Sequence, residues 1–211
     1  MEGIEQQDFW KGTFGDEYTI RNAGDWNNFY KKQWGVTRTE LNNEFLKGVD
    51  KRLPVLEVGC NRGNQLKLLK RDGFTNLWGV EINKSALDLA REDKGLNVVE
   101  ASALDLPFRD GFFNLVFTSG VLIHIAPSDL PKAIDEICRV SNRYIWGFEY
   151  FSEKCGEIEY KGHKNKLWKN NFSKLFLERH PGLSLLRQKK IKYVDNDNID
   201  EMFILEKPQK K

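Results

Sequence analysis

The sequence predicts an α/β fold with a doubly wound, mostly parallel sheet, and two observations support this prediction. From Val55 to Phe148, short apolar runs alternate with amphipathic helical patterns, as expected when parallel strands are joined through helices. In addition, the first apolar run ends in a glycine turn, Gly59 to Gly63, and the second ends in an acid, Glu81. Because parallel strands present their carboxyl ends to ligands, these features also predict a nucleoside site.

Length and composition predict a single globular domain. The 211 residues are 40% hydrophobic and 30% charged, which is typical of a globular protein. The net charge of +2 argues against a protein whose main partner is nucleic acid. No apolar run approaches the roughly 20 residues of a membrane helix, and Met1–Glu5 is unlike a signal peptide. Cys60, Cys138 and Cys155 lack metal-ligand spacing, so we expect reduced thiols, no metal and a cytoplasmic location.

The residues before the first strand predict helices that are added to the core. Residues 1–24 mix aromatic residues with glycine and charge, and we expect a short helix and a loop there. From Asp25 to Val49, aromatic and aliphatic residues recur at steps of three and four, which predicts helices. Asp25 is the expected N-cap of the first of them.

The core elements follow from apolar periodicity and from capping signals. The run Phe113–Thr118 is mainly apolar and predicts a strand that is buried on both faces. Ser128 is the expected N-cap of the next helix. The predicted core elements are strands Val55–Val58, Leu77–Ile82, Asn97–Glu100, Phe113–Thr118 and Tyr144–Phe148 and helices Gly63–Lys70, Ser85–Arg91 and 128–139.

The C-terminal third departs from this alternation. Residues 151–169 are polar and rich in lysine, and we expect an insert without long elements. A helix is expected over Asn170–His180, because Pro181-Gly182 would end it. Two strands, Leu183–Lys189 and Met202–Glu206, are expected to complete the sheet.

The spacing of the glycine turn distinguishes between classes of nucleoside ligand. A dinucleotide site needs Gly-x-Gly-x-x-Gly, but Asn61 and Asn64 stand where the second and third glycines belong. What remains is Glu57-x-Gly59-x-x-x-Gly63. This pattern resembles motif I of the class I S-adenosylmethionine methyltransferases. The alternative, a strand–turn–helix junction that merely needs glycine, explains neither Glu57 nor the acid after the second strand.

The resemblance assigns the contacts of S-adenosylmethionine, whose product is S-adenosylhomocysteine. Glu57 would bind the cationic amino group, Glu81 the ribose hydroxyls, and Ile82 would pack against the adenine. Ser102 stands where an Asp is common, so its contact is expected to be weaker. The expected cofactor-binding residues are Tyr18, Arg21, Glu57, Gly59, Cys60, Asn61, Gly63, Glu81, Ile82, Ser102, Ala103, Leu104, Ser119 and Val121.

The segment after the fourth strand, Thr118–Ile125, is where the reacting methyl group is expected. It lacks the (Asp/Asn)-Pro-Pro-(Tyr/Phe) signature of amino-methyltransferases that act on nucleic-acid bases, and the chain has no Pro-Cys nucleophile. His124 is a candidate general base, since its ordinary pKa lies near neutrality. A structural histidine that ties a helix to its neighbours is at least as good an interpretation of a lone His in an apolar run.

The insert holds a second group of candidates. Tyr150, Tyr160, Lys161, His163 and Lys164 could surround an anionic substrate, with His163 as an alternative base. A solvated basic face with aromatic residues covering the edge of the core explains the same composition equally well.

Several segments together resemble a more specific family, the pseudaminic acid biosynthesis-associated methylases. The resemblance spans nearly the whole chain. It implies a small-molecule substrate in a surface-sugar pathway and an N-terminal lid over the cofactor, formed by Trp10, Tyr18, Arg21 and Asn22, in which Arg21 would bind the methionine carboxylate. The segments that carry it are 9–22, 120–125, 141–145, 149–150, 160–163, 167–169 and 203–207.

These inferences give a complete expectation. The fold is expected to be the Rossmann-like class I methyltransferase fold, with seven strands, an antiparallel last strand and an N-terminal helical lid. The single domain would consist of a lid (1–52), a cofactor-binding core (53–150) and a substrate insert with C-terminal strands (151–211).

The expected activity is O- or N-methylation of a small, anionic sugar or nucleotide sugar by a monomer or dimer. Two alternatives stay open. One is a non-catalytic scaffold that binds S-adenosylmethionine. The other is an RNA or DNA methyltransferase that uses the basic run as a phosphate track.

Overall fold

The computed structural model describes residues 2–209 and contains a central seven-stranded sheet with helices on both faces. A separate two-stranded pair lies in the insert. The strands are β1 (Val55–Val58), β2 (Leu77–Glu81), β3 (Leu96–Glu100), β4 (Phe113–Ser119), β5 (Ser141–Tyr150), β6 (Gly156–Glu157), β7 (Trp168–Lys169), β8 (Ser184–Lys192) and β9 (Ile199–Glu206).

Eight α-helices accompany these strands within the described residues. A short 3-10 helix, Leu122–His124, follows β4. The helices are α1 (Glu2–Lys11), α2 (Thr13–Arg21), α3 (Trp26–Trp34), α4 (Arg38–Phe45), α5 (Asn64–Arg71), α6 (Lys84–Arg91), α7 (Leu130–Val140) and α8 (Phe172–Arg179). None of these helices is long and apolar enough to cross a membrane.

The sheet confirms the predicted Rossmann-like class I methyltransferase fold. Its strand order is β3-β2-β1-β4-β5-β9-β8. Strands β1 to β5 pair in parallel, whereas β9 runs antiparallel to both of its neighbours, β5 and β8. The order reverses at β1 and β4, which places the switch point where open α/β sheets bind ligands.

The N-terminal region departs from its prediction, because residues 2–21 form two helices rather than a helix and a loop. Gly15, one of the glycines in this region, lies in α2 and allows the chain to pack closely against Trp10 and Asn83. A Cβ atom there would lie 1.9 Å from the carbonyl oxygen of Trp10 and 2.8 Å from Nδ2 of Asn83. The Asp25 N-cap is confirmed, since its carboxylate accepts hydrogen bonds from the backbone N–H groups of Asn27 and Asn28.

The predicted Ser128 cap is wrong. Helix α7 begins at Leu130, with Asp129 at the N-cap position, and no side chain caps it. The preceding turn is instead closed by the backbone, because Ala126 accepts hydrogen bonds from the N–H groups of Asp129 (2.9 Å) and Leu130 (3.0 Å). Pro131 then occupies the first turn, where its missing N–H costs nothing.

A buried arginine joins the N-terminal helices to the sheet. Arg38, on α4, is 0% exposed. Its Nη1 donates to the Tyr30 hydroxyl (2.9 Å) and to Oγ of Ser119 (3.2 Å). Its guanidinium carbon lies 4.8 Å from the ring centroid of Trp146 and 5.0 Å from that of Phe148. Arg38 therefore holds α3 and α4 against the carboxyl end of β4.

We predict that Arg38→Ala lowers the free energy of unfolding by about 3 kcal/mol, because it removes buried hydrogen bonds and leaves a cavity among aromatic rings. Urea denaturation followed by circular dichroism measures this. Arg91→Ala is the matched control, since Arg91 makes an exposed ion pair with Asp88, and it should change stability by less than about 0.5 kcal/mol. Equal losses in the two variants would contradict the role given to Arg38.

Candidate active site

Two adjoining clefts lie at the carboxyl ends of the parallel strands. The first cleft has a volume of about 1140 Å³, its open mouth included, and is covered by the N-terminal helices. Its wall combines the glycine turn after β1, the end of β2, the loop after β3 and the loop after β4. Its lining includes Trp10, Tyr18, Glu57, Gly59, Asn61, Gln65, Glu81, Ser119, Gly120, Val121 and His124.

The turn after β1 needs glycine for space as well as for conformation. Gly59 has φ +73°, and a Cβ atom there would lie 2.6 Å from Cγ2 of Val121. Gly63 is also left-handed, with φ +75°, and stands at the N-terminus of α5. The backbone between the two glycines thus runs close to the first cleft and leaves it open for a ligand.

Glu81 connects this turn to the end of β2. Its carboxylate accepts hydrogen bonds from the backbone N–H groups of Asn61, Ile82 and Asn83, each at 2.8 Å. Burial raises the pKa of Glu81, and the three N–H donors oppose that shift. The carboxylate therefore fixes the shape of the turn while it lines the first cleft.

Glu57 has an unsatisfied oxygen directly beneath the turn. Its side chain is 3% exposed, and its Oε2 finds no hydrogen-bond partner among residues 2–209. Burial raises the pKa of Glu57 well above its ordinary value, while the nearby Arg38 guanidinium opposes the shift. A cationic or N–H-bearing ligand group would satisfy this oxygen.

The unsatisfied atoms of the first cleft, taken together, test whether the implied cofactor fits. Each is a buried polar atom without a partner in the described part of the chain. S-adenosylmethionine carries an ammonium, a carboxylate and ribose hydroxyls, so it can supply donors and acceptors to such a set. The lining residues therefore fit this cofactor. The atoms are Trp10 Nε1, Glu57 Oε2, Asn61 Oδ1, Gln65 Nε2 and Gln65 Oε1.

Three asparagines of the core hold helices α1 and α2 over the first cleft. They lie in the glycine turn, at the start of α5 and after β2, and each uses its side-chain amide as the donor. The lid is thus bonded to the same backbone that forms the ligand site. The bonds join Asn83 Nδ2 to the Asp16 carboxylate (2.9 Å), Asn61 Nδ2 to Thr19 Oγ1 (2.9 Å) and Asn64 Nδ2 to the Asn22 carbonyl oxygen (3.1 Å).

The second pocket has a volume of about 1030 Å³ and is lined mainly by aromatic side chains. It lies between α3, β5, the insert and the turn that joins β8 to β9. It adjoins the first cleft and shares a wall with it. The residues common to both are Tyr18, Asn22, Trp26, Ser119, Gly120 and His124.

His124 stands in this shared wall. Its Nδ1 lies 2.8 Å from the carbonyl oxygen of Lys166. A carbonyl oxygen only accepts, so Nδ1 carries the proton and Nε2 keeps a free lone pair. Burial lowers the pKa of His124 to about 4, which leaves the ring uncharged at neutral pH. The rings of Trp10 and Tyr160 lie at centroid distances of 4.5 and 5.0 Å from it.

The structure places most of the predicted site residues around these two clefts. Arg21, Tyr150 and Tyr160 line the second pocket, and His124 lines both clefts. Gly63, Ser102 and His163 line neither. Those that line the first cleft are Tyr18, Glu57, Gly59, Cys60, Asn61, Glu81, Ile82, Ala103, Leu104, Ser119 and Val121.

Arg21 and His163 also lie away from their expected surroundings. Arg21 was expected at the methionine carboxylate, but it is exposed, pairs with Glu17 at 3.3 Å and lines the second pocket only. His163 is exposed and packs against the ring of Phe9, at a centroid distance of 5.0 Å.

Two buried acids line the second pocket, Glu149 and Asp200, each 1% exposed. Glu149 belongs to the segment 149–150 of the family resemblance but was given no role, and Asp200 was missed. The oxygens of Glu149 accept hydrogen bonds from the N–H groups of Val121 (3.2 Å) and Ile123 (3.4 Å) and so hold the 3-10 helix in place. Glu149 follows a long apolar run, which was an available signal. Asp200 lies in a cluster of Asp and Asn residues that resembles a turn, so the sequence carries no signal for it.

Comparisons with known proteins agree with this site. Residues 56–143 match the family described as "Methyltransferase domain". A tRNA (carboxymethyluridine(34)-5-O)-methyltransferase of Xenopus tropicalis is 27% identical over 135 residues, which is 61% of this chain and 20% of that protein. A protein of Encephalitozoon cuniculi is 27% identical over 133 residues, 60% of this chain and 59% of its own length. The chain thus spans well under two thirds of these relatives.

Solved structures share the fold. Magnesium protoporphyrin IX methyltransferase from Synechocystis PCC 6803, solved with bound SAM, superposes with a TM-score of 0.69 at 15% identity, covering 99% of this chain and 98% of that one. The PH0226 protein from Pyrococcus horikoshii OT3 superposes with a TM-score of 0.68 at 18% identity, covering 95% and 99% of the two chains. Residues 56–143 thus resemble the methyltransferase-domain family, and the chain shares its fold with these solved structures.

Proposed function

We propose that this chain transfers a methyl group from S-adenosylmethionine to an oxygen or nitrogen of a small, anionic acceptor of sugar type. The observation that carries the proposal is the wall that the two clefts share at Ser119, Gly120 and His124. A donor in the first cleft and an acceptor in the second pocket would meet at this wall. Holding both partners there would supply most of the catalysis that such a transfer needs.

Bound S-adenosylmethionine supplies an activated methyl group on a sulfonium. The protein therefore has to orient the donor and the acceptor, to exclude water and to remove a proton from the acceptor. Glu57 and Glu81 would hold the cofactor in the first cleft. Helices α1 and α2 would exclude water, because their asparagine contacts close them over it.

His124 is the proposed general base for an acceptor hydroxyl or ammonium. Its fixed Nδ1 proton leaves Nε2 to accept a proton, and its lowered pKa keeps the ring neutral throughout the physiological pH range. We prefer it to His163, which is exposed and lies outside both clefts.

The second pocket favours a small acceptor over a polymer. It is a concave pocket lined largely by aromatic side chains, as small-molecule sites are. Arg21 and Lys161, both exposed, line it from its outer side and would attract an anionic group. Tyr150 and Tyr160 would flank the acceptor. A role in surface-sugar synthesis is supported by the family resemblance alone, which segments 9–22, 120–125, 141–145, 149–150, 160–163, 167–169 and 203–207 carry.

A screen of acceptors tests the proposal. S-adenosylhomocysteine release should be stimulated by phosphorylated or nucleotide-linked sugars and not by tRNA or DNA. Turnover of tRNA with steep salt dependence would replace this proposal by the nucleic-acid alternative, to which the Xenopus relative points. Binding of S-adenosylhomocysteine without turnover of any acceptor would favour the scaffold alternative.

We predict that Gly59→Ala weakens S-adenosylhomocysteine binding at least about tenfold, because the new methyl group would push Val121 and the turn into the first cleft. Isothermal titration calorimetry measures this. The control is Gly48→Ala, since Gly48 is equally left-handed (φ +91°) but has nothing within 4 Å of a Cβ atom. Similar affinity in both variants would mean that the turn does not shape the cofactor site.

We predict that His124→Asn lowers kcat about a hundredfold or more and leaves the affinity for S-adenosylhomocysteine unchanged. An asparagine amide can still donate to the Lys166 carbonyl, so the variant keeps the structural bond and loses the base. In the wild type, kcat should not fall between pH 6 and 9 through titration of His124, whose pKa is about 4. A fully active His124→Asn enzyme would leave proximity as the sole catalytic device.

A further inference from the structure

At the inner end of the second pocket, the Tyr193 hydroxyl and the Trp34 indole lie against a buried carboxyl group that keeps one oxygen without a partner. Asp200 lies on β9, opposite Tyr150 of β5, and is 1% exposed. Its Oδ1 makes no hydrogen bond to any residue between 2 and 209. A buried carboxylate in this condition is costly, and natural proteins retain one chiefly where a ligand or partner satisfies it.

The neighbouring acid shows what a purely structural carboxylate looks like in this fold. Glu149 is buried to the same extent, but backbone N–H groups of Val121 and Ile123 occupy its oxygens. Its function in the protein is therefore accounted for. The unsatisfied Oδ1 of Asp200 is not explained by the protein's own hydrogen bonds.

Aromatic rings surround the space in front of Asp200. The Trp34 ring is central, with centroid distances of 4.4 Å to Tyr30, 5.4 Å to Phe148 and 5.2 Å to Tyr193. Arg38 already lies over the Tyr30 and Phe148 rings, which shows that this cluster accommodates a cation. Aromatic rings beside a carboxylate are a favourable site for an ammonium group, through cation–π attraction and an ion pair. The aromatic residues that line the second pocket are Tyr18, Trp26, Phe29, Tyr30, Trp34, Phe148, Tyr150, Tyr160 and Tyr193.

The protein's own cations do not neutralise Asp200. The groups that face it are Trp34 and Tyr30 from α3, Glu149 and Tyr150 from β5, Tyr193 after β8 and Lys169 from β7. Of these only Lys169 carries a positive charge, and its Nζ is bonded to Asn198 at 2.5 Å and lies over the Tyr150 ring. Arg21 and Lys161, the cationic residues of the lining, are exposed. The pocket is thus positive at its rim and negative at its inner end.

We propose that the second pocket selects an acceptor that carries an amino group, which Asp200 binds as an ammonium among the aromatic rings, and an anionic group, which Arg21 and Lys161 bind at the rim. This proposal rests on the proposed function, because it takes the second pocket as the acceptor site. It narrows the substrate class from anionic sugars to anionic amino sugars or compounds of the same polarity.

The titration of Asp200 provides a signature of such a binding group. Burial raises the pKa of Asp200 to about 7, with Glu149 adding to the shift and Tyr193, Trp34 and Lys169 opposing it. A carboxyl whose pKa is raised by folding stabilises the protein below its unfolded pKa of about 3.9, and that contribution is lost as the pH rises through 7. In the protein without acceptor, Asp200→Asn should therefore raise the melting temperature, and more so at pH 8 than at pH 5.

The experiment compares three probes that differ at one substituent: glucosamine 6-phosphate, N-acetylglucosamine 6-phosphate and glucose 6-phosphate. Binding is measured by calorimetry with S-adenosylhomocysteine present. We expect the amine probe to bind the wild type at least about tenfold more tightly than the other two, and Asp200→Asn to abolish this preference. Asp197→Asn, in the exposed turn before β9, is the matched control and should keep the preference.

Each other outcome is decisive. Equal binding of the three probes, binding of none of them, or a preference that survives in Asp200→Asn would overturn the proposal. A lower melting temperature of Asp200→Asn at pH 8 would show that the carboxylate is structural and would also overturn it. S-adenosylhomocysteine affinity is measured in the same samples. If the wild type does not bind S-adenosylhomocysteine, the proposed function is refuted. If it binds S-adenosylhomocysteine but shows no preference for the amine probe, this inference alone is refuted.

Discussion

The structure depends most on the carboxylate of Glu81, which accepts three backbone hydrogen bonds across the edge of the sheet. These bonds fix the turn after β1 relative to the end of β2. They also place Asn61 and Asn83, whose side chains then hold the lid helices. One buried acid thus organises the floor and, through two amides, the cover of the first cleft. Neutralising or removing it would affect both at once.

A second buried network shapes the wall between the two clefts. Arg38 holds Ser119 from one side, and Glu149 holds the backbone of Val121 and Ile123 from the other. His124 follows directly and is anchored by Lys166 of the insert. The segment between the two clefts is therefore supported by three separate elements, namely α4, β5 and the insert. Such support is what a reaction that relies on positioning requires, since small displacements of either partner would be costly.

Much of the fold could be predicted because most elements are specified by residues that lie close together in the sequence. The glycine spacing, the acid after β2 and the buried run of β4 each reflect a constraint that acts within a few residues. Errors arose where contacts distant in sequence decide the outcome. A loop was expected within residues 1–24 partly because this segment contains glycine. The sequence does not show that Gly15 allows a close approach to Asn83. Ser128 was predicted as an N-cap because serine favours that position. The backbone hydrogen bonds that close the turn instead cannot be inferred from the sequence.

The sequence by itself determined the class of fold and predicted the class of cofactor, because Glu57, Gly59, Gly63 and Glu81 stand at short, fixed spacings along consecutive elements. Tertiary structure alone decided how the second pocket is built. Its rings come from α2, α3, β5, the insert and the β8–β9 turn, and its inner acid, Asp200, lies 76 residues beyond His124 in the chain. No local pattern connects such residues, since their proximity arises only when β9 inserts beside β5.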